Sequence, residues 1–270
     1  MRSALYSIGI MHLFKYRNLS ENHINALVNN QMWFAIGDTF NDPFDSKPPL
    51  SLFTYRSMAG FLQKQPNSVM LSEAQFHQLV SEELERVKQL EKEGRIQEHQ
   101  IWPYAEVVIA ATLRRFIFCL SRCHRNILMW SHYANSHKGF CVRYNLDALT
   151  ENLDLYHHQD TDYTTEMPDI LSRMMNGGEE NRSEDFLYIK APDWSYEREY
   201  RLLLNDFAEG PDDRVRCVEH TPEAVDRIYF GLNADATDID RLRNALEGRE
   251  IGFFQMQRGR RSIELFAQRI

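Results

Sequence analysis

The sequence predicts a single α+β domain over residues 1–270, built on a mixed, largely antiparallel sheet core with a helical insertion at about 50–115. Three observations predict it. Short stretches of strand-like and helix-like apolar spacing alternate along the chain, and no glycine-rich βαβ fingerprint lies between them. Ser72 to Glu93 repeats apolar residues at helical spacing amid dense charge, which is the pattern of a long amphipathic helix outside the sheet.

HLFKYR at 12–17 alternates as a first strand, and Ser20 then caps a helix that carries Ile24, Leu27 and Val28 on one side. QMWFAI at 31–36 is extended and ends at Gly37-Asp38. FNDPFDSKPP at 40–49 is irregular, because its three prolines forbid helix and its Asn and Asp residues favour turns. The amphipathic stretch, with Phe76, Leu79, Val80, Leu84, Val87 and Leu90 on its apolar face, ends near Gly94, and a second helix is expected over Pro103 to Arg115. FIFCLS at 116–121 is a buried strand. Asn126 caps the next helix, where Trp130, Tyr133, Ala134 and His137 share one face until Lys138-Gly139 ends it.

GFCVRYN at 139–145 and DLYHHQDTDY at 154–163 alternate as strands, and 165–182, with Asn176-Gly177-Gly178, is a loop or lid. WSYEREYRLLL at 194–204 reads as a late strand, followed by a loop at 205–213. Strands near RVRCVEH, VDRIYFGL and GFFQM, with the helix TDIDRLRNALEG before the last, complete the chain.

Composition narrows the function. A hydrophobic content of 43% supports a packed core, and a formal charge of -8 argues against gripping nucleic acid by overall charge, though it leaves room for a local basic groove. Cys119, Cys123, Cys141 and Cys217 come without a secretory leader pattern, so reduced thiols and a cytoplasmic location are expected. No apolar run approaches the roughly 18 to 20 residues that span a bilayer.

Glu197 and Glu199 are the first chemical candidates. As a helix, YEREYRLLL pairs Glu197 with Arg201 on a surface; as an edge strand it is a charge ladder; as a strand in a cleft it sets two carboxylates side by side for catalysis. Asn41, Asp42 and Asp45 sit in the proline-fixed FNDPFD turn, either satisfying turn backbone or contacting substrate. In MWSHYANSHKGF, Trp130 and Tyr133 lie on the apolar stripe, and His132 lies off it, where it faces solvent or a cleft. No metal site is expected: Cys119, Cys123 and His124 lack a second ligand pair at zinc spacing. Common nucleotide-hydrolase, esterase and zinc-protease motifs are missing as well.

With FNDPFD, CLS, MWSHYANSHKGF and WSYEREYRL in that order, the chain resembles the bacterial domain-of-unknown-function family 2971, from about Phe14 to Gly231. This resemblance implies a bacterial or phage-linked protein of the kind found near mobile defence genes. The order of Arg17 (with Tyr16 beside it), Ser121 and the Glu197/Glu199 pair is also similar to that of ADP-ribosyltransferases. That second resemblance implies an ADP-ribosyltransferase-like sheet, NAD as co-substrate, and an RNA, DNA or protein acceptor.

In that reading Glu199 holds a ribose hydroxyl and Glu197 orients the acceptor. Arg17 holds a diphosphate or ribose oxygen, and Trp130 or Tyr133 stacks on nicotinamide. Tyr16, Ser121, His132, Asn41 and Asp42 complete the expected NAD-binding set. A toxin-like effector in anti-phage defence, with an antitoxin or immunity partner, follows from the same resemblance. Two rivals stay open: a metal-assisted nuclease using Asp42, Asp45 and the glutamates, and a non-catalytic sensor or partner-binding module.

Overall fold

The computed structural model describes residues 10–46, 115–166, 183–208 and 212–270, together with a few positions between 82 and 95. The chain divides into two compact units, one formed by 1–36, 115–161 and 193–270, the other by 37–114 and 162–192.

The first unit is a mostly antiparallel open sheet with few helices. Its strands are β1 (His12–Arg17), β2 (Gln31–Ala35), β3 (Arg115–Ser121), β4 (Phe140–Asn145) and β5 (Leu155–Asp160). In the second unit β6 (Asp162–Tyr163) pairs in parallel with β7 (Ile189–Lys190). The first unit then continues with β8 (Glu199–Phe207), β9 (Val215–Glu219), β10 (Val225–Phe230), β11 (Gly252–Arg258) and β12 (Leu265–Arg269). The order across the sheet is β12-β11-β10-β4-β1-β3-β2-β9, and β8 joins β3 to β5. Among the described residues only β10 and β11 run parallel within it.

β3 organises the centre. One of its edges pairs with β8 from Ser121↔Glu199 to Arg115↔Phe207. On the other edge β1 meets it at Phe14↔Ser121 and β2 meets it at Ala35↔Ile117, so β1 and β2 diverge from β3 between those two points. Strand alternation sorts the side chains into two cores. Leu13, Phe118, Val142, Tyr144, Tyr200 and Leu202 belong to one, whereas Phe14, Tyr16, Trp130, Cys141 and Tyr229 belong to the other.

Helices cover both faces. α1 (Glu21–Val28) buries Ile24 and Leu27 in the first core, as their spacing of three dictates. α2 (Ile127–Tyr133) begins at Asn126, whose side chain accepts from Leu128 N and Met129 N, and it buries Met129 and Trp130 in the second core. α3 (Leu146–Thr150) is capped by Asn145, and α4 (Ala236–Ala245) by Asp235. No helix among the described residues is long and apolar enough to cross a membrane.

Several boundaries differ from the sequence reading. α2 stops at Tyr133, because Asn135, Ser136 and His137 adopt φ values of 47°, 53° and 67° and turn the chain back. His137 N then donates to Trp130 O at 3.0 Å and Gly139 N to Ala134 O at 2.8 Å, so His137 leaves the face it was expected to share with Trp130. Gly139 is needed at this return: a Cβ there would lie 2.1 Å from Arg17 O and 3.0 Å from Ala134 Cα.

WSYEREYRLLL is broken too. Residues Pro192–Glu197 form a 3-10 helix, Arg198 has φ 45°, and β8 starts only at Glu199, then runs to Phe207 through positions expected to be loop. α3 and β12 answer to no expected element. The described positions from Glu82 to Lys92 are helical, and Gly94 at φ 66° follows them, as expected. The rest of the 72–93 helix, the helix before Arg115 and most of the 165–182 segment lie outside the described residues.

Candidate functional site

The carboxylates lie on the sheet face that α2 covers. Paired residues in a ladder point to the same side, so the register Phe14↔Ser121↔Glu199 places these three, together with Tyr16, on one face. Glu197 and Glu199 are 4% and 5% exposed, which removes both solvated readings of the pair, the helical surface pair and the edge ladder. They do not project in parallel from one strand, because the left-handed Arg198 stands between the 3-10 helix and β8.

Each carboxylate is held differently. Tyr133, the last residue of α2, donates its hydroxyl to Glu197 Oε1 at 2.5 Å. Glu199 accepts a fork from Arg201, with Nε to Oε1 at 2.9 Å and Nη2 to Oε2 at 3.0 Å. Arg201 is fully buried, so this is a bidentate ion pair inside the protein. It lies two residues along β8 from Glu199 and therefore on the same face, a spacing that is legible in the sequence. Nothing in the sequence said that Arg201 would be buried.

The backbone around Glu197 is fastened from three sides. Ser121 Oγ donates to Glu197 O at 2.6 Å, Asn126 Nδ2 donates to Tyr196 O at 3.0 Å, and Arg122 N donates to Arg198 O at 2.9 Å. Asn126 thus caps α2 with its oxygen and ties the 3-10 helix to it with its nitrogen. The Tyr196 hydroxyl and His132 Nδ1 hydrogen-bond at 3.0 Å on the exposed side of the same junction.

Several expected roles change on these facts. Trp130 has no exposed surface: Tyr16 packs edge-on against it at 5.1 Å and its Nε1 donates to His124 O, so it is a core residue and not a platform for nicotinamide. Tyr16 is buried and donates to Cys123 O, with burial pushing its phenol far up. Ser121 spends its hydroxyl on backbone. Arg17 does not meet Glu199 and Ser121 across a cleft, because it lies three residues beyond Phe14 and so points from the opposite face of β1. Of the expected set in this unit, Tyr133 and His132 are the residues that combine a contact to the 194–197 segment with exposed surface.

Arg17 lines a cavity of about 620 Å³ instead, beside Lys15 and beneath α1. Lys15 donates to Cys119 O at 2.5 Å and lies 4.6 Å from the centre of the Phe118 ring. Burial first, then the neighbouring Arg17, push its ammonium down from 10.5 to about 7, against the opposing pull of Cys119, Glu199 and Glu197. Between about pH 7 and 10.5 the unfolded chain therefore holds more protons than the folded one, so stability rises with pH across that window. The rise is at most about 1.4 kcal/mol per pH unit. Urea unfolding across that window should show it in the native protein and lose it in Lys15→Met; identical profiles would mean that Lys15 is hydrated.

In the second unit, Asp42 accepts from Phe44 N at 2.9 Å, the turn-forming role of an Asx residue, and its Oδ2 is buried without a hydrogen bond. Asp45 pairs with Lys190 at 3.4 Å and accepts from Ser46 Oγ at 2.9 Å. Asn41 is exposed in the same turn. Among the described residues no group of three or more His, Cys, Asp or Glu side chains gathers as metal ligands do.

No curated protein and no solved structure matches the chain. Residues 129–202, which run from within α2 to the Glu199–Arg201 fork on β8, match the model of the DUF2971 family, described as a protein of unknown function, and this is the family that the sequence motifs resemble.

Proposed function

We propose that the protein is an NAD-consuming ADP-ribosyltransferase, with a sheet of ADP-ribosyltransferase type, that modifies a nucleic acid or protein acceptor. The observation that carries the reading is the Tyr133–Glu197 pair: a buried carboxylate positioned by a neutral hydroxyl on an immobilised backbone. When the bond from nicotinamide to C1′ of the ribose breaks, nicotinamide leaves with the bonding electrons and positive charge grows on the ribose. A preorganised carboxylate in a site of low dielectric offsets that charge and holds a ribose hydroxyl. The acceptor's nucleophile then bonds to C1′ and gives up its proton to a base or to water.

The two glutamates exchange the roles that the resemblance implied. Both oxygens of Glu199 already receive the Arg201 fork, which compensates its charge and makes it the brace at the start of β8. Glu197, which accepts from the hydroxyl of Tyr133, is the residue we assign to the ribose. Tyr133 positions it, and the exposed His132 and the half-buried Tyr196 flank it on the acceptor side.

The test is incubation of the native protein with NAD labelled on its adenylate and with a cell extract as the source of acceptor. Release of nicotinamide together with transfer of label to macromolecules is expected. Neither NAD loss nor transfer across a range of conditions would sink the reading.

A further inference from the structure

We propose that the cavity between α1 and β1 binds a free nucleoside monophosphate, with its phosphate held by Lys15, Arg17 and Tyr144 and its base against Trp33. The proposal does not depend on the NAD reading. It stands on what lines the cavity, whose volume of about 620 Å³ lies in the range that encloses a small organic ligand.

Charge is the first argument. Among the described residues two cations line the cavity and no aspartate or glutamate does, in a chain whose formal charge is -8. The register explains their convergence: Leu13↔Tyr144, Lys15↔Val142 and Arg17↔Phe140 are cross-strand pairs of β1 and β4, so Lys15, Arg17 and Tyr144 all project from the same face. Arg17 and Tyr144 are close enough for each to shift the other's titration.

Unused donors are the second argument. Among the described residues the Arg17 guanidinium makes no hydrogen bond or ion pair, and neither does the Tyr144 hydroxyl. Lys15 spends one donor on Cys119 O and has no carboxylate within ion-pair distance. A guanidinium that makes no hydrogen bond to the described residues keeps its five N–H donors available to a ligand. A phosphate supplies the acceptors, since its oxygens take a guanidinium fork, an ammonium and a hydroxyl together. It also reverses the effect of burial on Lys15, because a dianion favours the charged amine.

The remaining lining suits a base. Trp33 lines the cavity while staying 48% exposed, so its ring face is accessible for stacking. Asn22, Asn25 and Gln31 bring both donors and acceptors to the same walls, the equipment needed to meet the edge of a heterocycle. A free nucleotide fits better than a polynucleotide, because the net negative charge repels a long polyanion and the cavity offers room for one unit.

The experiment is calorimetric titration of the full chain, in the absence of NAD, with AMP, adenosine, inorganic phosphate and a short 5′-phosphorylated oligonucleotide. AMP should bind saturably with quenching of tryptophan fluorescence, and adenosine and phosphate should each bind at least about tenfold more weakly. Arg17→Gln should weaken AMP about tenfold or more, with Arg17→Lys recovering part of the loss. Trp33→Ala, at an exposed position where folding is not at risk, should weaken it about fivefold or more. No AMP binding at millimolar concentration, equal affinity for adenosine, or indifference to both Arg17→Gln and Trp33→Ala would overturn the proposal. Tighter binding of the oligonucleotide than of AMP would overturn the assignment to a free nucleotide.

Discussion

Replacing Glu197 with glutamine will lower the rate of NAD consumption by at least about a hundredfold while leaving the protein folded, since the change keeps size and hydrogen bonding but removes the charge that offsets the oxocarbenium ion. The amide can still accept from the Tyr133 hydroxyl, so the junction of α2 with the 3-10 helix keeps its contact. Tyr133→Phe should cost less, about tenfold, because it removes one positioning hydrogen bond and leaves the carboxylate in place. Initial rates of nicotinamide release, read beside far-UV circular dichroism and urea midpoints, separate a chemical effect from a structural one. If Glu197→Gln turns over NAD at the native rate, the role assigned to Glu197 is wrong, whatever the protein does with NAD.

Glu199 belongs to a different experiment. Arg201→Met should destabilise the protein by about 3–5 kcal/mol, because the fully buried guanidinium is removed and the carboxylate of Glu199 is left in the interior without its fork. The loss falls in the middle of the sheet, where Arg201 pairs across to Cys119 on β3 and to Gln159 on β5. The double variant Glu199→Gln/Arg201→Met should recover part of it, because the two charges of the fork then leave together. Urea unfolding of the two single variants and the double gives the coupling directly. A cost below about 1 kcal/mol for Arg201→Met would place this pair among surface salt bridges, in conflict with its burial.

These two expectations divide a pair of residues that the sequence presents as equivalent. Strand alternation put Glu197 and Glu199 on one face and left open whether water covered them. The positive φ of Arg198 breaks that alternation, a conformation to which a non-glycine residue gives no local clue. Arg17 shows the same limit from the other side. Its place at the end of β1 was legible, but its face relative to Glu199 depended on the register of β1 against β3, which no local pattern sets. Trp130 sat on an apolar helical stripe, and the core claimed it.

By itself the sequence determined the class of the fold and most of its pieces. β1, α1, β2, β3, the Asn126 cap and β4 fall where alternation, helical spacing and capping residues put them, since those signals act within a few residues. The approach of Tyr133 to Glu197 was decided only by tertiary structure, as were the fork of Arg201 on Glu199 and the meeting of Lys15, Arg17 and Tyr144 in one cavity. The reason is physical: residues 64 positions apart come together through strand register and helix docking, and these follow from burial summed over the whole sheet, not from the preferences of any one segment.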